Sequence, residues 1–99
     1  MYRILVMLPK SADPAEVEDL VEGIASSFRS STGSDPITRS VGPLMGPGAQ
    51  AGDAGWIIEA DFPTLEDAMA ALGAEGFQGV KTKAEALTST IFLFEIAKL

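Results

Sequence analysis

Residues 2–28 read YRILVMLPKSADPAEVEDLVEGIASSF, and the way this stretch divides decides the fold. Tyr2–Leu8 is a run of aliphatic, aromatic and β-branched residues halted by Pro9, which has no amide hydrogen to carry a ladder further, so it reads as a strand and its stop. Asp13 then offers a side-chain oxygen to the free amides of a helix start. Pro14 fits the first helical position, where its missing N–H is not needed, and Glu16 follows the cap by three residues as in a capping box. Val17, Leu20, Val21, Ile24 and Phe28 recur at spacings of three and four, which is one apolar stripe on a helix. Glu16, Glu18, Asp19 and Glu22 fall on the other side as a solvated acidic face. Ser30–Gly33 ends the helix.

Working outward, residues 56–72 (WIIEADFPTLEDAMAAL) repeat the same order of strand, proline and capped helix. Trp56–Phe62 is the strand, Thr64 the N-cap, and Glu66 and Asp67 place negative charge where the helix dipole favours it. Leu65, Ala68, Met69 and Leu72 make the apolar stripe. Gly73 and Gly76 break or kink the helix, and Phe77, Val80, Ala84 and Leu87 resume its spacing. Ile37–Val41 (ITRSV) alternates as a strand. Gly42–Gly55 holds five glycines and two prolines in fourteen residues, so it is expected to be a long loop and the most mobile ordered segment. Thr90–Ile96 (TIFLFEI) closes the chain as a strand. The order β-α-β-β-α-β predicts one α+β domain over residues 1–99, ferredoxin-like, with two helices on one face of a four-stranded antiparallel sheet.

Composition removes many chemistries. The 99 residues include no Cys and no His, which excludes disulfides, thiolate nucleophiles, Ser-His-Asp triads, and Cys- or His-based metal and haem sites. With net charge −7 and only seven scattered basic residues, the chain lacks the stripe of Lys and Arg that phosphates or an anionic membrane surface require. Its longest apolar runs, Ile4–Leu8 and Ile91–Phe94, are too short to span a bilayer, and the N-terminal segment lacks the long apolar stretch and cleavage site of a signal peptide. A cytoplasmic protein is expected. Gly46–Gly52 spaces its glycines as G-x-G-x-x-x-G and precedes a strand rather than a helix, so a lid or plain connection is expected there and not a phosphate cradle.

The strands are apolar on both faces, which carries an expectation about assembly. Tyr2, Ile4, Val6 and Leu8, Trp56, Ile58, Ala60 and Phe62, and Phe92, Phe94 and Ile96 form all-apolar sets expected to face the helices. The opposite face then holds Arg3, Leu5, Met7, Ile57, Glu59, Asp61, Ile91, Leu93 and Glu95. Its apolar members would leave a patch larger than the few hundred Å² that soluble monomers usually expose. A second copy packed sheet to sheet would cover it, with Leu5, Met7, Ile57, Ile91 and Leu93 in the interface.

This pattern resembles the dimeric α+β barrel superfamily and, within it, the EthD-like family. The resemblance is carried by Val41–Met45 (VGPLM), Asp61–Gly73 (DFPTLEDAMAALG) and Ile91–Phe94 (IFLF). It implies a homodimeric α+β barrel with a cleft between sheet and helices and a role in a catabolic or oxidative pathway. EthD-like proteins commonly carry a His near the end of the first helix. Ile24–Ser31 (IASSFRSS) has none, so that role does not transfer.

For chemistry, Glu59, Asp61 and Glu95 are expected to share a face with Arg3, and Arg39 to join them from the second strand. Buried together, carboxylates of this kind would serve a cofactor-free monooxygenase, isomerase or cyclase as acid and base; paired with the arginines, they are structural. Trp56, Met45 and Phe77 are expected to line a site for a small, partly apolar molecule, with Arg39, Glu59 and Asp61 as its polar contacts. Neither a cofactor nor a metal site is expected.

Overall fold

The chain leaves its first strand at Pro9 and enters its first helix through Asp13, whose carboxylate accepts a hydrogen bond from the Glu16 amide at 3.3 Å. The computed structural model describes residues 1–31, 36–45 and 54–99. Its elements run β1 (Tyr2–Pro9), α1 (Pro14–Arg29), β2 (Ile37–Arg39), β3 (Ala54–Phe62), α2 (Leu65–Gly73), α3 (Glu75–Ala86) and β4 (Thr90–Glu95). The four strands form one antiparallel sheet in the order β2-β3-β1-β4, so β1 and β3 are central and β2 and β4 are edges. This is the expected ferredoxin-like α+β fold. Residues 46–53 of the predicted Gly42–Gly55 loop, and with them the expectation of its mobility, lie outside the described residues, as does the end of the Ser30–Gly33 stop.

The expected second helix is two. Ala74, at φ −66° and ψ 146°, leaves the helical region and separates α2 from α3. The Gln78 side chain bridges the break by donating to the Leu72 carbonyl at 2.8 Å, and the Gln78 amide opens α3 on the Ala74 carbonyl at 2.9 Å. α3 lies close against α1 because small residues meet there. A Cβ at Gly23 would stand 2.7 Å from Val80 Cγ1, and one at Gly76 would stand 3.3 Å from Ser27 Oγ. The C-terminus of α3 closes with the Thr88 amide on the Glu85 carbonyl and the Ser89 amide on the Ala84 carbonyl, both at 3.0 Å, and with Thr88 at φ 60°.

The core lies between the sheet and the helices. Ile4, Val6 and Leu8 of β1 and Ile58, Ala60 and Phe62 of β3 meet Val17, Leu20, Ile24 and Phe28 of α1, Ala68 and Ala71 of α2, and Phe77 and Ala84 of α3. On α2 the expected stripe is displaced. Leu65 and Met69 are 46% and 57% exposed, and the buried positions are Ala68 and Ala71, whose short side chains let the helix settle against β1 and β3. Among the described residues, no helix is long and apolar enough to cross a membrane.

The last strand is in the opposite phase to that expected. β4 pairs with β1 so that Leu93 stands across from Ile4 and Ile91 across from Val6. Directly paired residues share a face of an antiparallel sheet. Ile91 and Leu93 therefore turn to the helices and pack on the core, while Phe92 and Phe94 turn outward at 45% and 39% exposure. Both phases of TIFLFEI are apolar, so alternation alone cannot choose between them.

Candidate functional site

The face of the sheet away from the helices carries Arg3, Leu5 and Met7 on β1. Opposite them in register stand Asp61, Glu59 and Ile57 on β3. Phe94 and Phe92 stand across from Arg3 and Leu5 on β4, and Thr38 of β2 stands across from Glu59. The surface is apolar at the Met7 end and charged at the Arg3 end.

At the charged end the strand register brings three ionic side chains together. Arg3 donates from Nε to Asp61 Oδ1 at 2.8 Å and from Nη2 to Asp61 Oδ2 at 3.1 Å, a two-pronged contact of guanidinium on carboxylate. Its Nη1 reaches Glu59 Oε2 at 3.0 Å. The hydrogen bond to Asp61, and then the charges of Asp61 and Glu59, raise the Arg3 pKa above its ordinary value against the opposing effect of burial. These groups are half-buried, so water still reaches the cluster.

The expected six-residue ligand set does not assemble. Glu59 and Asp61 lie on the open face. Arg39 stands opposite Ile58, in the phase that faces the helices, and grips Glu18 of α1 with Nη1–Oε2 and Nη2–Oε1 distances of 2.6 and 2.9 Å. Its expected place beside the open-face carboxylates is therefore corrected: one register position separates Thr38, which shares their face, from Arg39, which does not. The hydrogen bond from Arg39 lowers the Glu18 pKa and raises that of Arg39. Glu95, also expected beside Arg3, pairs in register with Tyr2 and so falls in the helix-facing phase. Trp56 and Phe77 are buried in the core, Phe77 stacked on Phe28, whereas Met45 is 92% exposed. The Leu44 amide bonds the Gly55 carbonyl at 2.7 Å, which holds the exposed Met45 segment beside the Trp56 end of the sheet.

Two further features stand outside the sequence-based set. A shallow groove of about 250 Å³ between α1 and α3 is lined by Glu16, Asp19, Leu20, Lys83, Ala86 and Leu87. Ser27 Oγ is buried without a hydrogen-bond partner among the described residues. Neither carries a sequence signal, because each depends on where α3 lands on α1. Phe92 and Phe94 were visible as aromatic residues in the sequence, and only the register assigns them to the open face. Among the described residues, no group of three or more carboxylates is placed to hold a metal ion.

No family model matches this chain, and no curated protein sequence matches it. Solved structures match over nearly its whole length. SnoaB, a cofactor-independent oxygenase from Streptomyces nogalater, is similar with a TM-score of 0.74 at 22% identity, covering 99% of this chain and 94% of that one. A dimeric ferredoxin-like protein of unknown function from Jannaschia sp. CCS1 gives 0.78 at 12% identity, covering 96% and 98%. An ethyl tert-butyl ether degradation (EthD) family protein from Bacillus halodurans C-125 gives 0.74 at 13% identity, covering 98% and 99%. The chain thus shares the ferredoxin-like fold of these proteins, an EthD family member among them. At these identities the likeness extends to fold alone, and such folds host unrelated functions.

Proposed function

We propose that this protein is a cytoplasmic homodimeric module that pairs through the open faces of its sheets and binds a small, partly apolar molecule. The observation that carries the pairing is the outward row of Leu5, Met7, Ile57, Phe92 and Phe94, on the sheet face turned away from the described helices. An apolar surface of this breadth favours association, and a symmetric dimer is the simplest assembly that buries it. The dimeric ferredoxin-like neighbour of the same fold supports a second copy of this chain as the occupant. Sedimentation at micromolar concentration is expected to give twice the 10.3 kDa of one chain; a clean monomer overturns the reading.

The ligand reading rests on the Trp56 end of the sheet, where exposed Val41 and Met45 flank a segment tied to β3 and the indole sits just beneath the surface. Apolar lining with few polar groups suits a molecule of mixed character. Titration of small aromatic and lactone-like compounds against Trp56 fluorescence tests it: saturable quenching reduced by Met45→Ala supports the site, and none across the panel removes it.

The likeness to SnoaB favours a second reading, a cofactor-free oxygenase in an oxidative pathway. Glu59 and Asp61 are the carboxylates such an enzyme would use here. Their sharing of Arg3 is the arrangement of an ion-pair cluster rather than of a proton-transferring acid and base, so the binding module is the stronger reading. Turnover under oxygen of any compound bound near Trp56 would reverse that order.

A further inference from the structure

The charged end of the open face holds one cation between two anions. Arg3 gives Asp61 its two-pronged contact at 2.8 and 3.1 Å, whereas Glu59 receives one nitrogen at 3.0 Å. The residues next to the cluster toward the Met7 end of this face are uncharged: Leu5 on β1, Thr38 on β2, and Phe92 on β4, with Phe94 across from Arg3 itself. Within the cluster two carboxylates therefore share one guanidinium, and Glu59 is the carboxylate left with less compensation.

Resting on the self-association reading above, we propose that Arg3 permits two copies to close and that Glu59 limits how tightly they do so. Closing the faces withdraws water from the cluster. A carboxylate with two directed charge-assisted bonds tolerates this, and one with a single contact tolerates it less well. A symmetric dimer also sets two such clusters, each with one more carboxylate than guanidinium, into one interface, where like charges oppose association. Without Arg3, both Asp61 and Glu59 would have to be buried unpaired. Two substitutions in one ion cluster therefore act in opposite directions. That pattern is not expected of a salt bridge that merely holds β1 to β3, where loss of either partner would weaken the structure.

The test is the dimer dissociation constant of the full chain, by sedimentation over a dilution series, for the wild type, Glu59→Gln, Arg3→Met and the triple variant Arg3→Met/Glu59→Gln/Asp61→Asn. Glu59→Gln keeps an acceptor for Arg3 and is expected to tighten the dimer roughly threefold or more. Arg3→Met is expected to weaken it roughly a hundredfold or more, and the triple variant to recover it. Raising the salt concentration should tighten the wild type and leave Glu59→Gln less affected. Unchanged far-UV circular dichroism and Trp56 emission identify variants that keep the fold, and the isosteric Glu59→Gln decides the matter if Arg3→Met does not. A wild-type dimer that Glu59→Gln weakens or leaves unchanged overturns this inference and spares the dimer; a wild-type monomer removes both.

Discussion

The ring of Phe28 lies flat on that of Phe77, with planes 7° apart and centroids 5.3 Å apart, while its neighbour Phe62 meets it edge-on at 5.9 Å. These three rings join α1, α3 and β3 at the centre of the core. Aromatic pairs in both geometries contribute beyond the area they bury. They also explain how a helix broken at Ala74 stays docked: Phe77, in the first turn after the break, is anchored on α1.

Phe77→Ala is accordingly expected to cost about 3–5 kcal/mol, because it deletes a fully buried ring and leaves a cavity that α1 and β3 are too constrained to fill. Urea unfolding followed by Trp56 emission measures it. A loss below about 1 kcal/mol would show that α3 repacks freely and that the stack is incidental.

Thr88 sits where a helix C-terminus usually places glycine. The Ser89-to-Ala84 and Thr88-to-Glu85 backbone bonds form the closing pattern of a helix end, and Thr88 takes the left-handed position at φ 60°. A β-branched residue is strained there. Thr88→Gly is expected to raise stability by about 1 kcal/mol, with a rise in Tm and no change in association. A fall in Tm would mean that the Thr88 side chain contributes contacts outweighing the strain.

Glu18 and Arg39 fasten edge strand β2 to α1. Arg39 lowers the Glu18 pKa, so the folded state holds the carboxylate in its charged form more firmly than the unfolded chain does. The stability this supplies is present above the unfolded-state value and is lost as the pH falls through the lowered folded-state value. Arg39, shifted upward, stays charged throughout this range. The Tm difference between wild type and Glu18→Gln should therefore be largest near neutral pH and shrink on acidification. A difference constant down to strongly acidic pH would assign the effect to packing instead. Amide exchange at Ile37–Arg39 should also quicken in the variant.

The strands and caps were legible in the sequence because their signals are local. Pro9, Asp13 with Glu16, and Thr64 with Asp67 each act within a few residues, and both caps make their expected hydrogen bonds. The open-face positions of Leu5, Met7 and Ile57 were legible for a related reason: on β1 and β3 charged residues fall in one phase only, and they fix the alternation. β4 offered no such marker, since Phe92 and Phe94 are as apolar as Ile91 and Leu93. The place of Arg39 was decided by the register of a three-residue strand, a non-local property that no pattern in ITRSV encodes. The exposure of Leu65 and Met69 likewise depends on how α2 turns against a sheet already covered by α1 and α3.

The phase of β4 can be tested by placing one charge on each of its faces. Leu93 packs on the core opposite Ile4, and Phe92 points outward opposite Leu5. Leu93→Lys forces an ammonium into the apolar packing that Leu93 makes with the core, and is expected to destabilise the monomer fold by at least about 2 kcal/mol. Phe92→Lys leaves the core untouched, and its charge reaches water in the single chain. Its fold stability should fall by well under about 1 kcal/mol, while the dimer, which would have to bury that charge between two sheets, should be lost. The pair of measurements is chemical denaturation under dilute conditions alongside sedimentation of the same samples. Leu93→Lys that keeps full stability but dissociates the dimer would reverse the face assignment and return Ile91 and Leu93 to the interface. Stability loss confined to Leu93→Lys, with dissociation confined to Phe92→Lys, fixes Phe92 and Phe94 as the aromatic part of the pairing surface.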